Sequence, residues 1–270
     1  MNILKKEFAS ESGHWYAKDG TPAYTIKAKN GEDRATTLRD ARKLGLVPSV
    51  TTILNVAAKP ALEQWKLRQT VMAALTLPQM KDEPLDAFAV RVISDSKEHA
   101  RKRAEEGSAI HGSIELALEG KKYDPVHEPF VFAVMEKLKN FGSNWGVERS
   151  FAHPLGYGGK VDLHNENYVI DFKTKEFSKE DEKLSWPEQA MQLAAYRNGL
   201  GLSNARCMNM FISVNNPGLV AQHEWEPGEL ETALKKFLLL HSYWMLDKGL
   251  TPAPAPPGEV TPSEESISNL

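Results

Sequence analysis

At 270 residues, 41% hydrophobic and 26% charged, the chain is long enough for one large domain or two small ones and has the makeup of a soluble globular protein with a sizeable core. Its formal net charge of -3 gives no global signal for nucleic-acid binding, which would have to come from local charge. The single cysteine, Cys207, excludes an intrachain disulfide framework and any four-cysteine zinc or iron–sulfur site, and its neighbours Met208, Met210 and Phe211 predict a buried, inert thiol.

Residues 14–26 read as a hairpin turning at Asp19-Gly20. The charged, mixed stretch 27–47 reads as a loop or a short helix. Pro48-Ser49-Val50-Thr51-Thr52-Ile53-Leu54 offers a Ser or Thr cap before a helix. Pro60 opens another helix, with Leu62 and Trp65 expected on its inner face. Residues 85–119 form a long helix or a pair of helices. Gly107 interrupts the pattern, Ile110, Ile114 and Ala117 resume it, and Gly120 ends it. Residues 127–145 predict an amphipathic helix with Phe130, Val134, Leu138 and Phe141 as its apolar stripe.

Strands follow at 146–153, 159–164 and 168–173, then a helix over 187–200 opened by Pro187. Residues 207–214 read as a further strand, with 220–225 able to pair with it, and a closing helix covers 227–248. The fold class is α/β: one core of mixed sheet flanked by helices, with an N-terminal helical elaboration. Along the chain this gives a hairpin and loop over 1–47, a mainly helical stretch over 48–145, sheet and helix over 146–226, and the closing helix over 227–249. Residues 251–270, rich in proline and acidic groups, are expected to be disordered. No run approaches the roughly 18 apolar residues of a spanning helix, and the opening eight residues lack a hydrophobic signal region, so a cytoplasmic protein is expected.

Gly-Gly-Lys-Val-Asp-Leu (158–163) followed by Tyr-Val-Ile-Asp-Phe-Lys-Thr-Lys (168–175) carries the most informative chemistry. A turn at 164–167 would fold the two segments into a hairpin and bring Asp162 beside Asp171. Asp171 and Lys173, two apart on a strand, point to one face. Val169, Ile170 and Phe172 make that strand apolar, so charges emerging from it need a reason. Two carboxylates suit a hard divalent cation such as Mg2+, and the backbone carbonyl of Phe172 could add an oxygen. Lys173 would then stabilise negative charge near an attacked phosphate. The same triplet can also sit on a solvated hairpin with no such role.

Gln192 and Tyr196 share a helix face just after this strand, either serving the site or satisfying a core helix. His111 and Glu115 share another face, and Glu148 lies on the preceding strand, where it could approach the same point or remain on the surface. Lys59, Lys66 and Arg68 on one helix and Arg91, Lys97, Arg101, Lys102 and Arg103 on the next could contact DNA. Glu98, Glu105 and Glu106 interleave with the second group, as on an ordinary solvated face. Trp65 and Trp145 could stack on bases or lie in the core.

In order and type these pieces resemble the PD-(D/E)XK nuclease superfamily. They are Gly-x-x-Ile-His at 107–111, Gly-Lys-Val-Asp at 159–162, Ile-Asp-Phe-Lys at 170–173 and Gln-x-x-x-Tyr at 192–196. The branch they resemble is the RecB-type group, with lambda-type phage exonucleases and mitochondrial genome-maintenance exonucleases, and the likeness spans about residues 48–200. It implies a restriction-endonuclease-like core, metal-binding acids at Asp162 and Asp171, a catalytic lysine at Lys173, a positioning pair at Gln192 and Tyr196, and a metal-site histidine at His111.

Glu115 and Glu148 have a looser warrant. Val161 stands where the signature has proline, and the second acid is Asp, which the pattern permits. The resemblance further implies Mg2+, with Mn2+ able to substitute and no iron–sulfur cluster. It implies DNA as substrate, exonuclease action in phage or mobile-element recombination, replication or repair, and a single-strand-annealing or recombination partner. A structure-specific endonuclease and a non-catalytic nucleic-acid-binding module on the same fold remain the alternatives. Digestion polarity, strand preference and oligomeric state stay open.

Overall fold

The structure is a computed structural model that describes residues 13–250, leaving aside Glu182 and the side chain of His99. The expected tail over 251–270 lies outside the described residues. A mixed five-stranded sheet organises the rest, with strands β5 (Gly146–His153), β6 (Tyr157–His164), β7 (Tyr168–Lys175), β8 (Arg206–Ser213) and β9 (Val220–Trp225) in spatial order 5-6-7-8-9. The β7–β8 pair is parallel and the other pairs are antiparallel. The parallel pair needs a crossover, which α6 (Pro187–Gly199) supplies. Among the described residues no helix is long and apolar enough to cross a membrane.

Two hydrophobic layers sandwich this sheet. On one face, Val169 and Cys207 pack with Leu193, Ala194 and Tyr196 of α6, Ile53 of α2 (Val50–Leu54) and Phe237 of α7 (Pro227–Asp247). On the other, Ile170, Phe172, Met208 and Met210 pack with Ile110 and Ile114 of α4 (Leu85–Leu118) and with Phe130 and Val134 of α5 (Glu128–Leu138). β7 and β8 therefore alternate faces residue by residue and are buried on both, as central strands must be.

Before the sheet come β1 (Trp15–Tyr16), β2 (Thr25–Lys27), β3 (Asp33–Ala35), α1 (Leu38–Leu44), β4 (Val47–Pro48) and α3 (Pro60–Thr76). The turn at Asp19-Gly20 forms, closed by a bridge from Tyr16 to Pro22. However, β1 takes β4 as its main partner, and β2 pairs with β3, so the single hairpin expected over 14–26 is replaced by two short pairings. Ser49 caps α2 as expected, its side chain accepting from the Thr52 backbone N–H.

Three further expectations need correction. Leu62 and Trp65 do not face inward: they are 42% and 41% exposed, because α3 packs chiefly on α4 and buries only Ala73. Gly107 does not break the helix, since α4 runs unbroken for 34 residues. A Cβ at position 107 would meet Thr174 Oγ1 at 2.4 Å, so the glycine lets α4 lie against β7. The helix expected over 127–145 stops at Leu138, although Phe141 beyond it still packs on Tyr168, with ring centroids 5.4 Å apart.

Candidate active site

The site forms where the sheet ladder fails on both sides of one residue. On the β5 side, Val147 pairs with Leu163 and Arg149 with Val161, so the rung between them sets Glu148 opposite Asp162. That rung is not formed: Glu148 has φ 51°, a left-handed conformation uncommon for a non-glycine residue. On the β7 side, the ladder ends at Leu163–Ile170, one rung before Asp162 would meet Asp171.

Strands β5 and β6 both turn over at this point. Val147 and Leu163 pack in one core layer, whereas Phe151 and Val161 pack in the other, although even spacing on a flat strand would keep each pair on one face. Asp162 uses the gap. Its Oδ2 accepts the backbone N–H of Phe172 at 2.8 Å, taking the place of a strand partner. N–H and C=O of one strand residue share an edge, so the Phe172 carbonyl faces the same gap.

His111, projecting from α4, lies 3.1 Å by Nε2 from the same Asp162 oxygen and stands edge-on to the Phe172 ring. One ligand atom each from His111, Glu148 and Asp162 lies within 4.8 Å of the others. Opposite ligands on an octahedral ion are about 4.2 Å apart, so a small inward movement would let all three hold one cation. The donor set supplies the fit test. Glu148 Oε2 is buried and taken up by the Lys160 ammonium, which a cation would have to displace. Two carboxylates and an imidazole around one gap still form a set of oxygen and nitrogen donors that suits a divalent cation such as Mn2+, with Mg2+ favouring the oxygens. Burial raises the Glu148 carboxyl, helped by the Asp162 charge and opposed by Lys160.

Asp171 belongs to a second group on the other side of Phe172. It is 2% exposed, and its Oδ1 accepts from Lys173 Nζ at 2.9 Å and from Gln192 Nε2 at 2.9 Å. Lys173 Nζ also lies 2.7 Å from Asp171 Oδ2 and donates to Gln192 Oε1 at 3.1 Å. Gln192 Nε2 reaches Tyr196 Oη at 3.0 Å. The Lys173 side chain is 30% exposed, so a substrate can reach it.

Burial pushes the Asp171 carboxyl up to about 6, with the Asp162 charge adding and the Lys173 charge opposing. Burial lowers Lys173, but Asp171 and then Asp162 outweigh it and hold the ammonium charged. Burial likewise works against a charged Asp162 and is overcome by the His111 hydrogen bond and charge, leaving its carboxyl below the ordinary value. For Tyr196, burial followed by the Asp171 and Asp162 charges raises the phenol well above its usual value, so it stays neutral.

Thus Asp162 and His111 come together as the sequence leads one to expect, and Glu148 joins them in the place where Asp171 was expected. Asp171 instead pairs with Lys173, Gln192 and Asn209. Glu115 is half-buried one turn beyond His111, where its charge acts on Glu148 and Lys160. Lys160 and Asn209 were missed by the sequence reading. The only signal for Asn209 is a lone amide inside the apolar run Cys207–Ile212.

Most of the candidate DNA-contacting charge is already paired. Lys66 pairs with Glu63 at 2.8 Å, Arg101 with Glu98 and Glu105, Lys102 loosely with Glu98 at 4.0 Å, and Arg103 with Glu106 and Glu176. Arg68 forms no ion pair among the described residues. With the exposed Trp65, it lines a cleft of about 550 Å3 between α3 and α4 that reaches Glu176 at the end of β7. Trp145 is half-buried against the α4–α5 core layer.

No protein-family model matches the sequence, and no curated protein matches it. Among solved structures, the crystal structure of SSO0001 aligns at 19% identity over 67% of this chain and 86% of its own, with a TM-score of 0.28. An alkaline exonuclease (LHK-Exo) from Laribacter hongkongensis aligns at 15% identity over 69% of this chain and 97% of its own, also with a TM-score of 0.28. At such scores neither likeness bears on the function of this chain.

Proposed function

We propose that the protein is a divalent-metal-dependent DNA nuclease, acting as an exonuclease on phage or mobile-element DNA. The observation that carries the reading is the juxtaposition of Lys173 with the His111–Glu148–Asp162 group across the single residue Phe172. A structural cation site needs ligands but no buried ammonium beside it. A phosphodiester-cleaving site needs both, because negative charge grows on the phosphate as it is attacked.

His111, Glu148 and Asp162 would hold the cation, with the Phe172 carbonyl within the same gap. Bound there, Mg2+ or Mn2+ would polarise the phosphate and make water a better nucleophile at neutral pH. Lys173, whose side chain is part-exposed, then neutralises phosphate charge through its ammonium. Asp171 and Gln192 fix the direction of that ammonium, and Tyr196 fixes Gln192.

The test is digestion of linear, circular and end-labelled DNA with Mg2+ or Mn2+ by the full chain and by the Asp171→Ala and Lys173→Ala variants. Loss of cleavage in both variants, with unfolding transitions retained, is expected. Resistant circles would support the exonuclease reading, and cleaved circles the endonuclease. Unchanged cleavage by the variants would refute the assignment. A wild-type chain that shifts DNA in a gel yet leaves it intact would make it a binding module.

A further inference from the structure

Asn209 is fully buried in the middle of β8, between Met208 and Met210. An amide in such a position costs free energy unless both its ends are paired. Both are. Its Oδ1 accepts the indole N–H of Trp225 at 2.7 Å, and its Nδ2 donates to Asp171 Oδ2 at 2.8 Å. The indole is a donor only, so it decides which end of the amide faces it and leaves the NH2 for the carboxylate. The register explains the meeting. Asn209 stands opposite Asp171 in the parallel ladder and opposite His223 on β9, and Trp225 is two residues beyond His223, on the same face of β9.

We infer that Asn209 is a positioning residue for the proposed nuclease centre, orienting the Asp171 carboxylate and itself oriented by Trp225. This rests on the nuclease reading above. The reason lies in how the donors are shared. Lys173 touches both oxygens of Asp171, whereas the two neutral amides take one oxygen each, Gln192 on Oδ1 and Asn209 on Oδ2. When the ammonium swings toward a phosphate, the amides hold the carboxylate in plane and keep it from following Lys173. An apolar side chain at 209 would fill the same space and leave Oδ2 free to rotate. Trp225 carries the constraint out to the edge strand, so the orientation of a buried acid is set by a residue outside every motif of the site.

The test compares wild type with Asn209→Ala, which removes the donor, and Trp225→Phe, which keeps a ring but lets the amide turn. Linear-DNA hydrolysis is followed against both Mn2+ and DNA concentration, with Mn2+ binding by calorimetry and thermal unfolding as the check on folding. Asn209→Ala is expected to lower kcat by about ten- to a hundredfold, with the KM for DNA within about twofold and Mn2+ binding at His111, Glu148 and Asp162 little changed. Trp225→Phe should give a smaller loss of the same kind.

Wild-type kcat in a folded Trp225→Phe and Asn209→Ala would overturn the role, as would a loss confined to the DNA KM or to Tm. If Asn209→Ala does not fold, Trp225→Phe alone decides. A wild-type chain that neither binds Mn2+ nor cuts DNA would instead bring down the nuclease reading and this role with it.

Discussion

Replacing Gly107 with alanine should press on a close contact between α4 and β7. The new Cβ would sit 2.4 Å from Thr174 Oγ1, about 1 Å inside ordinary contact, with the next atom, Thr174 Cβ, at 3.5 Å. Helix propensity alone favours the change by about 1 kcal/mol. Overpacking of this size costs about 1–3 kcal/mol, so the net effect is a loss of up to about 2 kcal/mol. Thr174→Ala removes the clashing oxygen and leaves an ordinary contact. In the double variant the helix gain should therefore reappear, with a coupling of about 1–3 kcal/mol in a double-mutant cycle measured by urea unfolding. His111 lies one turn further along the same face of α4, so the single variant should also weaken Mn2+ binding, and the double variant should recover it. A coupling below about 0.5 kcal/mol, or a Gly107→Ala chain simply more stable than wild type, would show that the helix does not bear on β7 at this point.

Other parts of the site make separate demands. Burial lowers the His111 pKa, but the hydrogen bond and charge of Asp162, with Asp171 and Glu148 behind, raise it above its ordinary value of 6.5. Its contribution to stability is then full below about pH 6.5 and lost as pH rises through the raised value. A cation needs the neutral ring, so Mn2+ affinity should climb across that interval by up to about tenfold per pH unit, and His111→Gln should flatten the climb. A flat wild-type profile in calorimetry would refute the ligand assignment. Glu148→Gly relieves a left-handed backbone worth about 1–2 kcal/mol at an entropic cost of about 0.5–1 kcal/mol. The variant should unfold at equal or slightly higher urea while binding Mn2+ at least about tenfold more weakly; marked destabilisation would make Glu148 a structural partner of Lys160 instead. In DNA titrations at low salt, Arg68→Ala should weaken binding more than Arg101→Ala, because the Arg101 charge is offset by Glu98 and Glu105. The reverse order would remove the cleft beside Trp65 from the binding surface.

Much of this arrangement was legible because strand chemistry is local. The apolar run 168–173, the turn before it and the two-residue spacing of Asp171 and Lys173 fix a face without knowledge of the rest of the chain. The four-residue spacing of Gln192 and Tyr196 does the same on a helix. What escaped was set by contacts between distant segments. Gly107 looks like a helix breaker until Thr174 is placed against it. Leu62 and Trp65 form part of a plausible inner stripe until α3 is seen to rest on α4 and bury only Ala73. Glu148 was legible as an acid able to approach the site, but its left-handed backbone was not, because that conformation belongs to the pairing of β5 with β6 and not to its own neighbours. The Trp225–Asn209–Asp171 chain depends on the register of three strands, which no single segment specifies.

That register also explains why the proposed centre lies where it does. An unbroken five-stranded sheet would spend the backbone N–H of Phe172 on a strand partner and leave Asp162 no polar neighbour at that edge. By dropping the Glu148–Asp162 and Asp162–Asp171 rungs, the sheet opens one gap in which a backbone N–H, a backbone carbonyl and three side chains converge. The cost is a left-handed glutamate and the burial of carboxylates, which raises Glu148 and Asp171, with the Asp162 charge adding to both. A bound divalent cation would offset both, so the wild-type chain should gain more in melting temperature from saturating Mn2+ than Glu148→Gly does. Equal gains in the two chains would mean that the open rungs serve some purpose other than metal binding.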